Sequence, residues 1–300
     1  MSLTHDHLDR SAAALLVVLC ATWGVQQVAV KVANAGISPV FQAGLRSVGA
    51  AVLVWVWSAC SGVRLFKRDG TLPAGLAAAA LFAGEFALIY WGLTYTAASR
   101  GVIFLYTAPF FVALGAVWLL PQERVGAAQW LGMGLAFLGV LTLFGENLLR
   151  PAGQAWIGDM MLLGAAVLWA ATTLVIKASR LATAKPEKTL LYQLAGSALF
   201  LPLVSWGLGE QGIVALTPLV LSSMAFQIVI VASSSYLAWF WLVRHYPATR
   251  LSAFSFLTPV FGVLAGSLLL GEPLTPAVLV ALTLVGSGIW LANRVSVKGA

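Results

Sequence analysis

ASRGVIFLYTAPFFVALGAVWLL, residues 98–120, holds one charged residue, Arg100, in 23 positions and a proline, Pro109, near its centre. As a helix it rises about 34 Å at roughly 1.5 Å per residue. That is enough to cross a hydrocarbon core about 30 Å thick. In a soluble helix an internal proline costs about 3 kcal/mol, because it removes a donor and presses on the carbonyl one turn back. In a membrane bundle, neighbouring helices, hydroxyls and water satisfy the freed carbonyl; Thr107 and Thr258 are the nearby candidates. The pattern recurs 150 residues later, in ATRLSAFSFLTPVFGVLAGSLLL (residues 248–270), with eight identities in 23 positions. Arg100 pairs with Arg250, Phe104 with Phe254, Pro109 with Pro259 and Phe111 with Phe261.

Composition extends that reading to the whole chain. Only 9% of the 300 residues are charged and 60% are hydrophobic, against about 25% charged in an ordinary soluble domain. Twenty-seven charges cannot cover a soluble surface of this size, whereas a bilayer demands none. Polar and Pro/Gly clusters divide the chain into about ten expected spans: 11–32, 38–60, 74–95, 98–120, 126–145, 156–178, 188–208, 216–243, 249–270 and 274–293. The start, MSLTHDHLDR, carries Asp6 and Asp9 ahead of the apolar run and lacks a separate short hydrophobic region with a cleavage site. It therefore reads as a retained first span. Cys20 and Cys60, the two cysteines, read as small buried hydrophobes and form no metal or disulfide framework.

With a cytoplasmic N-terminus, 13 Lys and Arg fall on the cytoplasmic side and three (Lys31, Arg100, Arg150) on the other, while Arg46 lies within the second span. This positive-inside bias predicts an even number of spans with both termini cytoplasmic. The net charge of +7 reports topology, and no nucleic-acid partner is expected.

The duplication reaches beyond residues 98–120. WGVQQVAVK (Trp23–Lys31) parallels WAATTLVIK (Trp169–Lys177), Gln42 corresponds to Gln193, and after a one-residue slip Glu123 meets Glu272 and Gly139 meets Gly288. The halves, residues 1–150 and 151–300, each hold five spans, an odd number, so the second enters the membrane in the opposite sense. Such inverted repeats recur in secondary transporters, with substrate held near the midplane between the halves. The expected fold class is thus an all-α polytopic membrane protein of ten transmembrane helices.

These residues resemble a known family. WG…K in span one, FQAGLRSVGA in span two, the Tyr and Pro of span four and LLLGEPLTP joining spans nine and ten are similar to the drug/metabolite transporter superfamily with two EamA-type domains. Within it, length, span number and aromatic content most resemble the bacterial aromatic amino-acid exporters. The resemblance covers essentially the whole chain. It implies that spans one to four and six to nine surround a central cavity, with spans five and ten peripheral. In the first half LLPQERVG replaces the Leu-Gly-Glu form seen at Leu270–Glu272.

Depth supplies candidates without the family. Tryptophan favours the membrane interfaces, and ten of the 12 lie toward span ends, but Trp23 and Trp169 stand about twelve residues into theirs. They read either as helix packing, which requires an acceptor for each indole N–H, or as aromatic walls of a substrate site. Gln26 and Gln27, and in the second half Thr172 and Thr173, follow one turn later. Glu85 is the one carboxylate near mid-span, where a charge costs about 2.5–3.5 kcal/mol; its repeat counterpart lies close to Ser235. It could bind a substrate ammonium, carry a coupling proton, pair with Arg46 or another cation, or hydrogen-bond while neutral. Gln42 and Arg46 share a helical face, and the bland role for Arg46 is a bond to backbone carbonyls. Lys31 and Lys177, at span ends, read as snorkelling cations.

Tyr106 and Phe256 stand three residues before Pro109 and Pro259, and Tyr90, Tyr236 and Trp239 add aromatic surface. The candidate substrate-binding set is therefore Trp23, Gln27, Gln42, Glu85, Tyr106, Trp169, Ser235, Trp239 and Phe256. Pro109 and Pro259 are either hinges or static kinks. The set suits a small amphipathic solute with an apolar body and a polar or zwitterionic end; several buried cations, as a phosphate ester would need, are missing from it. No H-E-x-x-H, intramembrane aspartate pair or Gly-rich phosphate loop occurs, and His5, His7 and His245 form no metal set. No catalytic residue, metal or cofactor is expected. The expectation is a transporter exporting amino acids, aromatic or other neutral ones, in a bacterial inner membrane; the alternative is a drug or other small-metabolite exporter of the same superfamily. Small-residue runs around Gly132, Gly134, Gly139, Gly286 and Gly288 allow close helix approach, so a homo-oligomer stays open.

Overall fold

A computed structural model describes residues 8–65, 67–96, 98–123, 125–149, 153–271 and 276–294. Apart from one isolated bridge between Ile37 and Ile213, its regular elements are helical. In the first half α1 (Arg10–Ala33), α2 (Pro39–Cys60) and α3 (Leu72–Gly92) are continuous, and the fourth crossing divides into α4 (Ala98–Leu105) and α5 (Ala108–Leu119). Then come α6 (Ala127–Phe144) and the short α7 (Glu146–Leu149). The second half runs α8 (Ala155–Ala178), α9 (Pro186–Gly207), then α10 (Pro218–Phe226) joined through a π-helical stretch, Gln227–Ser235, to α11 (Tyr236–His245). Its fourth crossing also divides, into α12 (Ala248–Phe254) and α13 (Leu257–Leu270), before α14 (Ala277–Asn293).

Among the described residues nine helical stretches are long and apolar enough to cross a membrane, and α14 adds a tenth apolar helix of 17 residues. The expected ten spans stand as nine and a shorter tenth, which rises about 25 Å. The chain is a multi-pass membrane protein. Its outer surface carries bare apolar side chains, such as Leu199, Trp206 and Leu268 at 75%, 83% and 83% exposure; hydrocarbon accepts such a surface and water does not. Glu272, of the Leu-Gly-Glu motif, lies outside the described residues.

Corresponding elements of the two halves pack in matching pairs. α2 lies on α9 and α6 on α14, each against its own repeat equivalent. α1 lies along α13 as α8 lies along α5, and α3 on α9 has its counterpart in the π stretch on α2. Backbones nearly touch at α6 and α14: a Cβ on Gly288 would sit 2.5 Å from Ala136 N and Gly132 O. The glycines at this seam serve contact within the chain. Gly134 and Gly286 meet nothing within 4 Å among the described residues.

Carboxylates from one half start helices of the other. Glu210 accepts from Val40 N and Phe41 N at the first turn of α2, at 3.1 and 2.9 Å. Glu123 accepts from Ala248 N and Thr249 N at the start of α12, at 3.0 and 3.1 Å. Each places negative charge where helix N–H groups lack partners. Glu123 also pairs with Lys177 at 3.7 Å. That corrects the snorkelling expectation: the Lys177 ammonium is buried against an acid, while Lys31 is exposed. Cys60 differs from expectation too. It is exposed, on the last turn of α2, whereas Cys20 is buried.

Candidate functional site

The breaks in the two fourth crossings fall in repeat-related places. α4 ends at Leu105 and α5 resumes at Ala108, with Pro109 in its first turn and Thr107 Oγ1 donating to Phe104 O at 2.6 Å. α12 ends at Phe254 and α13 resumes at Leu257, with Ser255 Oγ donating to Ser252 O at 2.7 Å. Proline at the start of a helix loses nothing, since its missing N–H would have had no acceptor within the helix. Thr258 Oγ1, proposed above as a carbonyl donor, is buried and donates to no carbonyl among the described residues.

Between the halves lies a cavity of about 210 Å³, running from Leu93 at the end of α3 to Val243 near the end of α11. Trp23, Gln27, Glu85, Tyr106, Trp169 and Trp239 line it; Gln42, Ser235 and Phe256 do not. Ser235 instead supports the wall. Its hydroxyl accepts from Trp23 Nε1 at 2.9 Å and donates to Val231 O at 2.6 Å. Trp239 stands edge-on to Trp23 at 5.5 Å, and Tyr106 edge-on to Trp169 at 6.0 Å. Edge-to-face arrangements of this kind are favoured by the ring quadrupoles and fix the ring planes.

Gln42 is buried behind α1, its Nε2 donating to Asn34 Oδ1 at 2.8 Å. Phe256 is fully buried, packed against Phe110 and Phe137 at 6.1 and 6.3 Å. Span two, expected to border the cavity, contributes no residue to its wall. α2 is drawn back against its neighbours at Gly44, where a Cβ would meet the Pro202 ring at 2.9 Å, and at Gly49, where it would meet Ile228 at 2.8 Å.

Glu85 is 7% exposed and makes no hydrogen bond or ion pair within 4.0 Å among the described residues. The direct pairing with Arg46 considered above is therefore not formed. The side chains of Gln26 and Gln27 on the wall are likewise unbonded among the described residues, and so is the Trp169 indole. Thr172 and Thr173 turn their hydroxyls to Leu168 O and Trp169 O, at 2.8 and 3.1 Å. An unbonded carboxylate, two free amides and an indole N–H on aromatic walls can hold a cationic or zwitterionic head with an apolar body. The wall also includes Phe82 and Phe86 of α3. Their spacing of four, with Tyr90 four further on, was the available signal; in a helix apolar all round it marks no face.

A family model described as the EamA-like transporter family matches residues 10–145 and again residues 156–294. The chain belongs to the EamA-like transporter family. An uncharacterized transporter of Bacillus subtilis, YvbV, is 29% identical to this EamA-family chain over 293 residues, 95% of this chain and 92% of that one. A protein of Salmonella typhimurium named a probable amino-acid metabolite efflux pump is 28% identical over 290 residues, 93% and 92% of the two chains. A solved structure titled only "Crystal structure of protein" superposes with a TM-score of 0.81 at 20% identity, covering 95% of this chain and 97% of that one. The two chains share one fold.

Proposed function

We propose that this chain is a secondary transporter of a bacterial inner membrane, with both termini cytoplasmic, that exports aromatic or other neutral amino acids by alternating access. Its working units are two inverted five-helix repeats, residues 1–150 and 151–300, and its solute sits between them. The observation that carries this reading is the small aromatic cavity with the unbonded Glu85 carboxylate in its wall. Pockets for drug-sized ligands run to about 300–1,000 Å³; about 210 Å³ suits a smaller solute. Glu85 offers an acceptor for a substrate ammonium, Gln27 and Trp169 offer polar contacts, and Trp23, Tyr106 and Trp239 supply the apolar walls. The alternative, a drug or other small-metabolite exporter, draws on the predominance of aromatic over polar groups in the same wall.

Purified protein in proteoliposomes, offered radiolabelled amino acids and several hydrophobic cations, separates the two. The expected result is saturable uptake of aromatic or neutral amino acids, lowered about tenfold or more in kcat/KM by Trp169→Ala, as truncation of an aromatic anchor commonly does. Transport of the cations alone would overturn the amino-acid reading.

A further inference from the structure

Arg46 is 1% exposed, and its Nε and Nη1 have no hydrogen-bond partner among the described residues. A fold-holding arginine would spend those donors on carbonyls; this one leaves them empty. Its guanidinium carbon lies 4.5 Å from the centroid of Phe86. Phe86 lines the cavity and Arg46 does not, so one aromatic ring separates a buried cation from the solute space. Burying a guanidinium without hydrogen bonds is costly, and a ring face offsets only part of that cost. An anion arriving from the cavity side would supply what is missing, and the planar fork of arginine matches a carboxylate.

We propose that Arg46 is the carboxylate-binding group of the cavity, reached when the Phe86 ring rotates away from it. Glu85 and Phe86 are adjacent in α3. A zwitterion with its ammonium on Glu85 would thus carry its carboxylate past Phe86 to Arg46, while its side chain stays among the tryptophans. This inference rests on the amino-acid reading above and narrows it to solutes that carry both an ammonium and a carboxylate. A solute lacking the carboxylate would leave Phe86 over Arg46 and forgo the contact.

Direct binding to the purified full chain tests this with three probes: free phenylalanine, 2-phenylethylamine, which lacks the carboxylate, and 3-phenylpropionate, which lacks the ammonium. In the unaltered protein phenylalanine should bind about tenfold or more tightly than 2-phenylethylamine, the scale of a charged hydrogen-bonded contact. Arg46→Gln should remove that advantage and leave 2-phenylethylamine binding unchanged, while Glu85→Gln should weaken 2-phenylethylamine and spare 3-phenylpropionate. Arg46→Lys, which keeps charge but loses the fork, should fall between. Equal loss of both phenylalanine and 2-phenylethylamine in folded Arg46→Gln marks a structural role and overturns the proposal, as does unchanged phenylalanine binding. Should Arg46→Gln fail to fold, equal affinity of the unaltered protein for phenylalanine and 2-phenylethylamine overturns it instead. If the unaltered protein binds hydrophobic cations and none of the amino acids, the amino-acid reading fails, and the carboxylate site with it.

Discussion

Trp23 and Trp169 occupy repeat-related places, yet their indoles are held differently: Trp23 donates to Ser235, and Trp169 makes no hydrogen bond among the described residues. Both rings stood out in the sequence because tryptophan favours the membrane interfaces and these two lie near mid-span. Which partner each would find depended on span eight lying beside α1, a matter of packing. Gln42 and Phe256 show the same limit. Both are repeat-placed and both turn away from the cavity, and in helices apolar on every side a single polar or aromatic residue does not declare its direction. Glu85 stood out for a simpler reason, its charge. Replacing it with glutamine is expected to lower amino-acid uptake about tenfold or more, and any response of the unaltered protein to an imposed pH gradient should go with it, measured as initial rates in proteoliposomes. Unchanged gradient dependence would strip it of any proton role.

At the scale of elements, the two divided spans were legible and the π-helical one was not. Pro109 and Pro259 announce a break near mid-span, and the helices resume within two residues of each. The stretch Gln227–Ser235 carries no proline. Its widened turns are supported by Ser233 and Ser234, which donate to Ile228 O and Val229 O five residues back, at 2.7 and 2.8 Å. The serine run was visible in the sequence, but serine bonds back to carbonyls in ordinary helices too, so it named no geometry. The counterpart α3 stays regular, and the two repeats therefore differ where they face each other across the cavity. If the breaks in spans four and nine act as hinges, the double change Pro109→Ala with Pro259→Ala should let each span close into one helix and slow transport several-fold, with folding retained in a thermal melt. Transport at the unaltered rate would leave the prolines as static kinks.

At the scale of the molecule, polar ties cross between the halves at both ends of the helices. Lys188 meets Asp69 at 2.9 Å and Lys67 O at 2.9 Å; Tyr246 donates to Asp9 at 2.8 Å; Arg100 meets Asp159 at 2.7 Å and Thr96 joins them at 2.9 Å. Charge placement made Lys and Arg visible in the sequence as topological marks. Their partners were not visible, because they lie 59 to 121 residues away. The Asp69 carboxyl is held well below the usual carboxylate range, first by the Thr71 hydroxyl and then by Lys188. Its folded value lies below the unfolded one of about 3.9. Its stabilising contribution is therefore complete above that pH and fades as pH falls toward the folded value. Melting temperatures of the unaltered protein and Asp69→Asn should differ by a constant amount from pH 7 to 5 and converge below about pH 4. A gap that stays constant down to pH 3 would count against the tie.

The capping acids Glu210 and Glu123 carry a consequence for biosynthesis. Val40 is threaded into the membrane early, but the carboxylate that receives its N–H is 170 residues further along the chain. Through most of translation the entrance of α2 is left to solvent, and Glu123 likewise awaits a helix start 125 residues downstream. The nascent first half is thus an unfinished object, the start of α2 completed only when the second half emerges to meet it.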